Sequence, residues 1–142
     1  MNHLIVGPAG HGVTAYALQL ADALGTPPTD VIREETFTDA PLPDGPIHVT
    51  FTDHLFGDAA EPLLERLGDR PFSVSLHDIP QPEEGEARYA RRAGIYRKIV
   101  DAAALAVVNS EHEARFFSDG AAAPAPTAIR LPIPCLLYTS DA

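Results

Sequence analysis

The segment Leu4-Ile5-Val6-Gly7-Pro8-Ala9-Gly10-His11-Gly12 joins a buried strand to a helix and decides the fold of this 142-residue chain. The apolar run at its start is typical of a short buried strand that stops at Gly7. Beyond the turn, apolar residues three and four positions apart predict a helix from Val13 to Leu24, with Gly25 as its stop. A strand, a glycine-rich turn and an amphipathic helix begin an alternating pattern.

The same alternation continues to residue 131. Further strands are predicted at 31–32, 47–51, 72–76, 104–108 and 127–131, and further helices at 86–102 and from 109 to 117. Asp53 is a candidate N-cap for one more helix that runs to Gly68, although Pro62 is able to break it. Apolar strands that alternate with helices indicate an α/β fold, a Rossmann-like parallel sheet with helices on both faces.

Composition excludes several classes of protein. A hydrophobic share of 45% in 142 residues suits one globular domain, and no apolar run approaches a membrane span. Twenty acidic against ten basic residues give a net charge of −10, which disfavours nucleic acid as a partner. The single cysteine, Cys135, excludes an internal disulfide framework. The N-terminus lacks the pattern of a signal peptide, so we expect a cytoplasmic protein.

Gly10, His11 and Gly12 stand where the first helix begins, and this position gives them a chemical use. Glycine lets the backbone approach a ligand closely, and the free N–H groups of a helix start bind anions. Ligands of open parallel sheets bind outside the carboxyl ends of the strands, where this loop lies. We therefore predict that the three residues bind substrate; a tight turn without a ligand is the alternative. The glycine spacing matches neither a P-loop nor G-x-G-x-x-G.

His77 and Asp78 leave the strand at 72–76 on the same edge of the sheet. His77 is predicted to be catalytic, as a base or a ligand for a hydroxyl group, and Asp78 to orient it or to bind a sugar hydroxyl. A structural hydrogen-bonding histidine is the alternative. The remaining histidines of the chain show no metal-ligand spacing, so no metal site is predicted.

Ser110 follows the strand at 104–108 and precedes Glu113 by three residues, the spacing of a capping box. Capping explains this pair fully, and a substrate-binding role of Ser110 would be additional.

The helix at 86–102 holds half of the ten Lys and Arg residues of the chain. Arg88, Arg91 and Arg92 share one face through their spacing. This face suits an anionic partner such as a lipid phosphate or the inner surface of a membrane. A solvated helix face, partly neutralised by nearby glutamates, is the commoner explanation.

Taken together, these segments resemble the N-terminal domain of GT-B glycosyltransferases of the GT4 type. The resemblance lies in the loop and helix at 7–24, in Val74-Ser75-Leu76-His77-Asp78-Ile79-Pro80, in the run Ala102 to Ala114, and in Ile129-Arg130-Leu131-Pro132-Ile133-Pro134. It covers most of residues 2–134, and the order of the segments is more specific than any one of them.

The resemblance implies transfer of a sugar from a nucleotide-sugar donor to an acceptor, without a metal or other cofactor. It implies that the residue matching His77 lines the reaction site and that residues 1–134 form the acceptor-side domain. The donor-binding residues of that family lie in a second, C-terminal domain, which is missing from this sequence. We therefore expect this chain to be an inactive fragment.

Two other classes remain open. One is a different Rossmann-like enzyme, for example a nicotinamide-dependent one, which an acidic residue at the end of the second strand would favour. The other is a non-catalytic module that binds a sugar or a protein partner.

The final segment, Cys135 to Ala142, does not continue the α/β pattern. It resembles translated sequencing adaptor, and we expect residues 135–142 to be a non-native tail. A genuine C-terminal strand is the alternative.

Overall fold

The computed structural model describes residues 1–118 and 127–128. Strands and helices alternate along them, as the sequence predicts. The elements are β1 (Asn2–Val6), α1 (Gly12–Ala23), β2 (Val31–Glu34), β3 (Ile47–Phe51), α2 (Glu61–Leu67), β4 (Phe72–Leu76), α3 (Glu86–Ala102), β5 (Leu105–Val108), α4 (Glu111–Ser118) and β6 (Thr127–Ala128).

The described strands form one parallel sheet in the order β2-β1-β3-β4-β5-β6. The chain first moves from β1 to β2 on one side, then crosses back to β3 on the other. Parallel pairing brings the carboxyl ends of all strands to one edge, and the reversal between β1 and β3 makes a switch point there. Ligand sites of open α/β sheets occur at such points, so the topology itself marks one region of the surface.

Side chains of β1 alternate between two apolar layers. Leu4 and Val6 belong to the large cluster that includes residues of α2 and α3. Ile5 packs with Ala17 and Ala21 of α1 on the opposite face. Each fully buried aliphatic side chain contributes about 1.5–3 kcal/mol. The predicted Rossmann-like sheet with helices on both faces is therefore confirmed.

The face of the sheet toward α1 also carries buried polar side chains. The imidazole of His48 on β3 lies between two hydroxyls of β4, with Nδ1 2.7 Å from Ser73 Oγ and Nε2 2.8 Å from Ser75 Oγ. Burial lowers the pKa of His48 to about 4. A neutral imidazole has one donor and one acceptor nitrogen, so both are satisfied here. These pairs explain the polar residues at alternate positions of β3 and β4.

One predicted helix is wrong in extent. α2 begins only at Glu61, and Pro62 lies in its first turn, where the missing N–H of proline costs nothing. Asp53 is therefore not an N-cap; its carboxylate accepts hydrogen bonds from Arg92 of α3 instead. The strand β2 extends two residues further than the predicted 31–32.

The predicted strand at 127–131 is described only at 127–128, where it pairs with β5. The tail 135–142 lies outside the described residues. Among the helices of the described part of the chain, none has the length and apolar character needed to cross a bilayer.

Candidate functional site

A cleft of about 590 Å³ opens at the carboxyl edge of the sheet, over the switch point. It receives residues that follow β1, β3, β4 and β5, together with the start of α1. The lining residues are Gly10, His11, Gly12, Val13, Tyr16, Thr52, His54, His77, Asp78, Asn109 and Glu113. Gly10 to Gly12 and His77 with Asp78 lie at one edge of the sheet, as their positions after β1 and β4 predict, and Asn109 after β5 joins them.

The glycine loop shapes one wall of this cleft. Gly7 is buried with φ +113, and a Cβ there would come within 2.6 Å of Thr14 Oγ1, so the turn requires glycine. Gly10 is different, because a Cβ there would meet nothing within 4 Å. His11 is the N-cap of α1, where its Nδ1 accepts a hydrogen bond from the Val13 N–H at 3.1 Å. The predicted binding residues Gly10, His11 and Gly12 thus all line the cleft.

His77 forms the floor of the cleft beside Tyr16. The two rings meet edge to face, with centroids 4.3 Å apart. The imidazole is 8% exposed, and its Nε2 is buried without a hydrogen-bond partner. Burial lowers the pKa of His77 to about 4, so the ring is neutral at physiological pH. His77 therefore presents a neutral ring to the cleft, while its Nε2 is shielded from the open space.

Asp78 extends the same wall toward solvent. Its backbone is left-handed, with φ +55, although it is not glycine. Its carboxylate is 62% exposed, and Oδ2 lies 3.3 Å from Arg92 Nη2. The acceptor oxygens of this group are thus held at the rim of the cleft, within reach of a hydroxyl-bearing ligand.

Arg92 does not belong to an exposed basic face, which corrects the predicted grouping with Arg88 and Arg91. It is 2% exposed and points inward from α3. Its Nε lies 2.9 Å from Asp53 Oδ2, and Nη1 lies 2.6 Å from Glu84 Oε2. A buried guanidinium requires such carboxylate partners, because an unpaired charge in the interior is very costly. Arg88 is 61% exposed, with Nε 3.3 Å from Glu84 Oε1, so Arg88 and Arg91 are the two members of the predicted group that remain at the surface.

The wall contributed by the end of β5 is formed by Asn109 and not by Ser110. The hydroxyl of Tyr16 donates to Asn109 Oδ1 at 3.2 Å, which ties α1 to this wall. Ser110 is not among the lining residues and caps α4, accepting from the Glu113 N–H at 3.2 Å. The Glu113 carboxylate in turn accepts from the Asn109 N–H at 2.9 Å. The capping explanation of Ser110 is thus confirmed.

Sequence reasoning missed Tyr16, Thr52, His54 and Asn109 as lining residues. Tyr16 fits an apolar helix position, and only its hydroxyl distinguishes it from the core. Thr52 and His54 come directly after β3, so the strand-end argument used for His77 applies to them equally. The ring of His54 stacks near that of His11, with centroids 6.3 Å apart. Within residues 1–118 and 127–128, no group of three His, Cys, Asp or Glu side chains is arranged to hold a metal ion.

Comparison with known proteins yields no relative: the chain matches no protein-family model, no curated protein and no solved structure.

Proposed function

We propose that this chain is the acceptor-side half of a nucleotide-sugar-dependent glycosyltransferase of GT-B architecture. One observation carries the proposal. Residues from three of the four segments on which the resemblance rests, namely Gly10 to Gly12, His77 with Asp78, and Asn109, line a single cleft. They are distant in sequence, and the chain could bring them together only if each ends or follows a parallel strand at the same edge.

The chemistry of the cleft suits an acceptor hydroxyl. Sugar transfer requires removal of a proton from that hydroxyl as the new bond forms, and a positioned base contributes typically 10²–10⁴-fold to such a step. His77 lines the cleft and is neutral, so it has the protonation state that a base requires. Its lowered pKa makes it a weak base, which is suited to accept a proton late in the step. Asp78 at the rim provides oxygens for neighbouring hydroxyls.

The donor would be held between this domain and a second one. In this proposal, backbone N–H groups at the start of α1 contact the donor phosphates. The second domain would make the contacts with the nucleoside. Placing two reactants together supplies much of the rate of such reactions, so this half alone should not transfer sugar. Cytoplasmic location belongs to the same proposal, as does the absence of a metal requirement.

A nicotinamide-dependent enzyme is a second candidate, because Glu34 is the last residue of β2. An acidic residue at this place binds the ribose of the dinucleotide in Rossmann enzymes. The carboxylate of Glu34 is already engaged, however, with Oε1 2.9 Å from Arg66 Nη1 and Oε2 3.0 Å from Thr38 Oγ1. Its side chain is 11% exposed, and Glu34 does not line the cleft. These contacts favour the transferase.

The deciding experiment compares the two activities directly. The reading frame downstream of residue 134 is recovered, and the extended protein is incubated with radiolabelled nucleotide-sugars and a panel of hydroxyl acceptors. The proposal expects transfer by the extended protein and at least a 100-fold loss in its His77→Ala variant. Quenching of NADH fluorescence by the chain, with no transfer by the extended protein, would establish the second candidate instead.

A further inference from the structure

Two consecutive backbone carbonyls beside the cleft accept hydrogen bonds from side chains of α3. The hydroxyl of Tyr96 donates to the carbonyl oxygen of His77 at 2.5 Å, and Nη2 of Arg92 donates to that of Asp78 at 2.5 Å. The two donors are four residues apart and therefore lie on one face of the helix. One helix face thus fixes both peptide groups that carry the predicted catalytic and binding side chains.

The side chains of Arg92 and Tyr96 both contact Asp53, which follows β3. Its Oδ1 accepts from Arg92 Nη2 at 3.2 Å and its Oδ2 from Arg92 Nε at 2.9 Å. The Tyr96 hydroxyl, whose proton goes to the His77 carbonyl, lies 3.3 Å from Oδ1 and accepts from the Asp53 N–H at 3.4 Å. Burial would raise the pKa of Asp53, but the hydrogen bonds and charge of Arg92 outweigh it and lower this pKa. Asp53, Arg92 and Tyr96 are all at most 2% exposed. The Asp53 carboxylate is therefore ionised and buried, and it orients the side chains of Arg92 and Tyr96.

The backbone held by this assembly is in a conformation that it would not adopt unaided. Asp78 has φ +55, and left-handed backbone is unfavourable for residues other than glycine. Such conformations persist where the surroundings impose them, and they cluster at functional sites. Arg92 contacts both the carbonyl and, at 3.3 Å, the carboxylate of Asp78. Without these contacts, we expect the Asp78 backbone to leave its left-handed conformation.

We propose that Arg92 and Tyr96 are positioning residues, which hold the His77–Asp78 backbone so that the imidazole stays buried at the cleft floor and the carboxylate stays at its rim. Neither side chain lines the cleft, so neither would touch a ligand directly. The inference rests on the proposed function for the roles of His77 and Asp78. The contacts that Arg92 and Tyr96 make with their backbone do not depend on that function.

A second ion pair in the chain provides a matched control. Arg66 is 4% exposed, forms two bonds to the Glu34 carboxylate at 2.9 and 2.5 Å, and donates to the carbonyl of Ala40 at 2.6 Å. It therefore has the same kinds of partner as Arg92, but none of them lines the cleft. A lysine at either position keeps the charge and loses the fork-shaped pair of bonds.

The test follows the His77 ring and the Asp78 backbone by NMR in the full chain and in the variants Arg92→Lys, Tyr96→Phe and Arg66→Lys. In the unaltered protein the His77 ring should titrate near pH 4. Arg92→Lys and Tyr96→Phe should move this midpoint at least one unit toward 6.5, the ordinary value, as the ring becomes hydrated. The Asp78 Cα and Cβ shifts should leave left-handed values in Arg92→Lys. Arg66→Lys should change neither signal.

Unchanged His77 and Asp78 signals in both α3 variants would overturn the proposal, as would equal changes in Arg66→Lys. Tyr96→Phe removes one oxygen only, so it decides the question if Arg92→Lys fails to fold. The readout needs no substrate. Failure of sugar transfer by the extended protein would therefore reject the proposed function and leave the positioning result standing, and the reverse also holds.

Discussion

The edge of the Tyr16 ring lies against the imidazole of His77, with the two planes inclined at 69°. Tyr16 lies on α1 and His77 follows β4, so this contact joins the first βα unit to the middle of the sheet. The Tyr16 hydroxyl reaches further, to Asn109 beyond β5. A single side chain therefore links three of the four strand ends that surround the cleft.

The first prediction concerns the cost of the buried Nε2 of His77. Because His77 Nε2 has no partner, His77→Leu should leave the free energy of unfolding unchanged or raise it by about 1 kcal/mol, since a buried polar group without a hydrogen bond is unfavourable. Urea denaturation at pH 7 measures this.

His48→Leu is the control. It leaves two serine hydroxyls without their imidazole partner and should lower the free energy of unfolding by about 1–3 kcal/mol. A loss at His77 equal to that at His48 would show that the His77 ring is a structural hydrogen-bonding group.

Stability should fall steeply on mild acidification. Burial lowers the pKa values of His48 and His77 to about 4, from 6.5 when the chain is unfolded. Between pH 6.5 and 4 the unfolded chain therefore binds more protons than the native one, so the stabilisation is complete above 6.5 and is lost as the pH falls to 4. Each histidine contributes up to about 3 kcal/mol to this loss. Urea midpoints at pH 7, 6 and 5 measure the slope, which should be shallower in His77→Leu and His48→Leu. A flat profile over this range would mean that the two rings are hydrated in solution.

Two glycines of the same loop should respond differently to substitution by alanine. Gly7→Ala places a Cβ 2.6 Å from Thr14 Oγ1 at φ +113, so it should lower the free energy of unfolding by about 2 kcal/mol or more. Gly10→Ala meets no atom within 4 Å and should change it by less than about 0.5 kcal/mol. Thermal or urea unfolding of the two variants checks this. Equal effects would mean that the turn at Gly7 adjusts to a side chain.

The strands were predictable because each is a short apolar or alternating run bounded by glycine, proline or a polar turn, and parallel strands place their ends on one edge. This reasoning located the loop at 7–12 and His77 correctly. It failed for Arg92 and Asp53, because helical spacing shows which residues share a face but not whether that face meets solvent or a buried carboxylate 39 positions away. The sequence also led to Ser110 and not to Asn109 as a binding residue. The two residues are adjacent, and the sequence does not show which side chain contacts α1 and which caps α4. Long-range polar pairs of this kind leave no periodic signal.

The last prediction concerns the chain by itself. The start of α1 is the one part of the described cleft that suits a phosphate, and it offers backbone N–H groups without a lysine or arginine among the lining residues. A nucleoside diphosphate should therefore bind weakly, with a Kd on the order of millimolar. In an NMR titration with uridine diphosphate, the shifts should be confined to the amides of Gly10 and Gly12 and to the rings of His11 and His54. His11→Ala removes the Nδ1 cap and frees the Val13 N–H for the anion, so it should extend these shifts to the Val13 amide. His112→Ala, on the exposed surface of α4 and outside the cleft, is the matched control and should leave them unchanged. Incubation of the chain with nucleotide-sugar and acceptor should give no transferred sugar, because the second reactant is not held near the first. Micromolar binding, or transfer by this chain alone, would show that the residues described here already form a complete donor site.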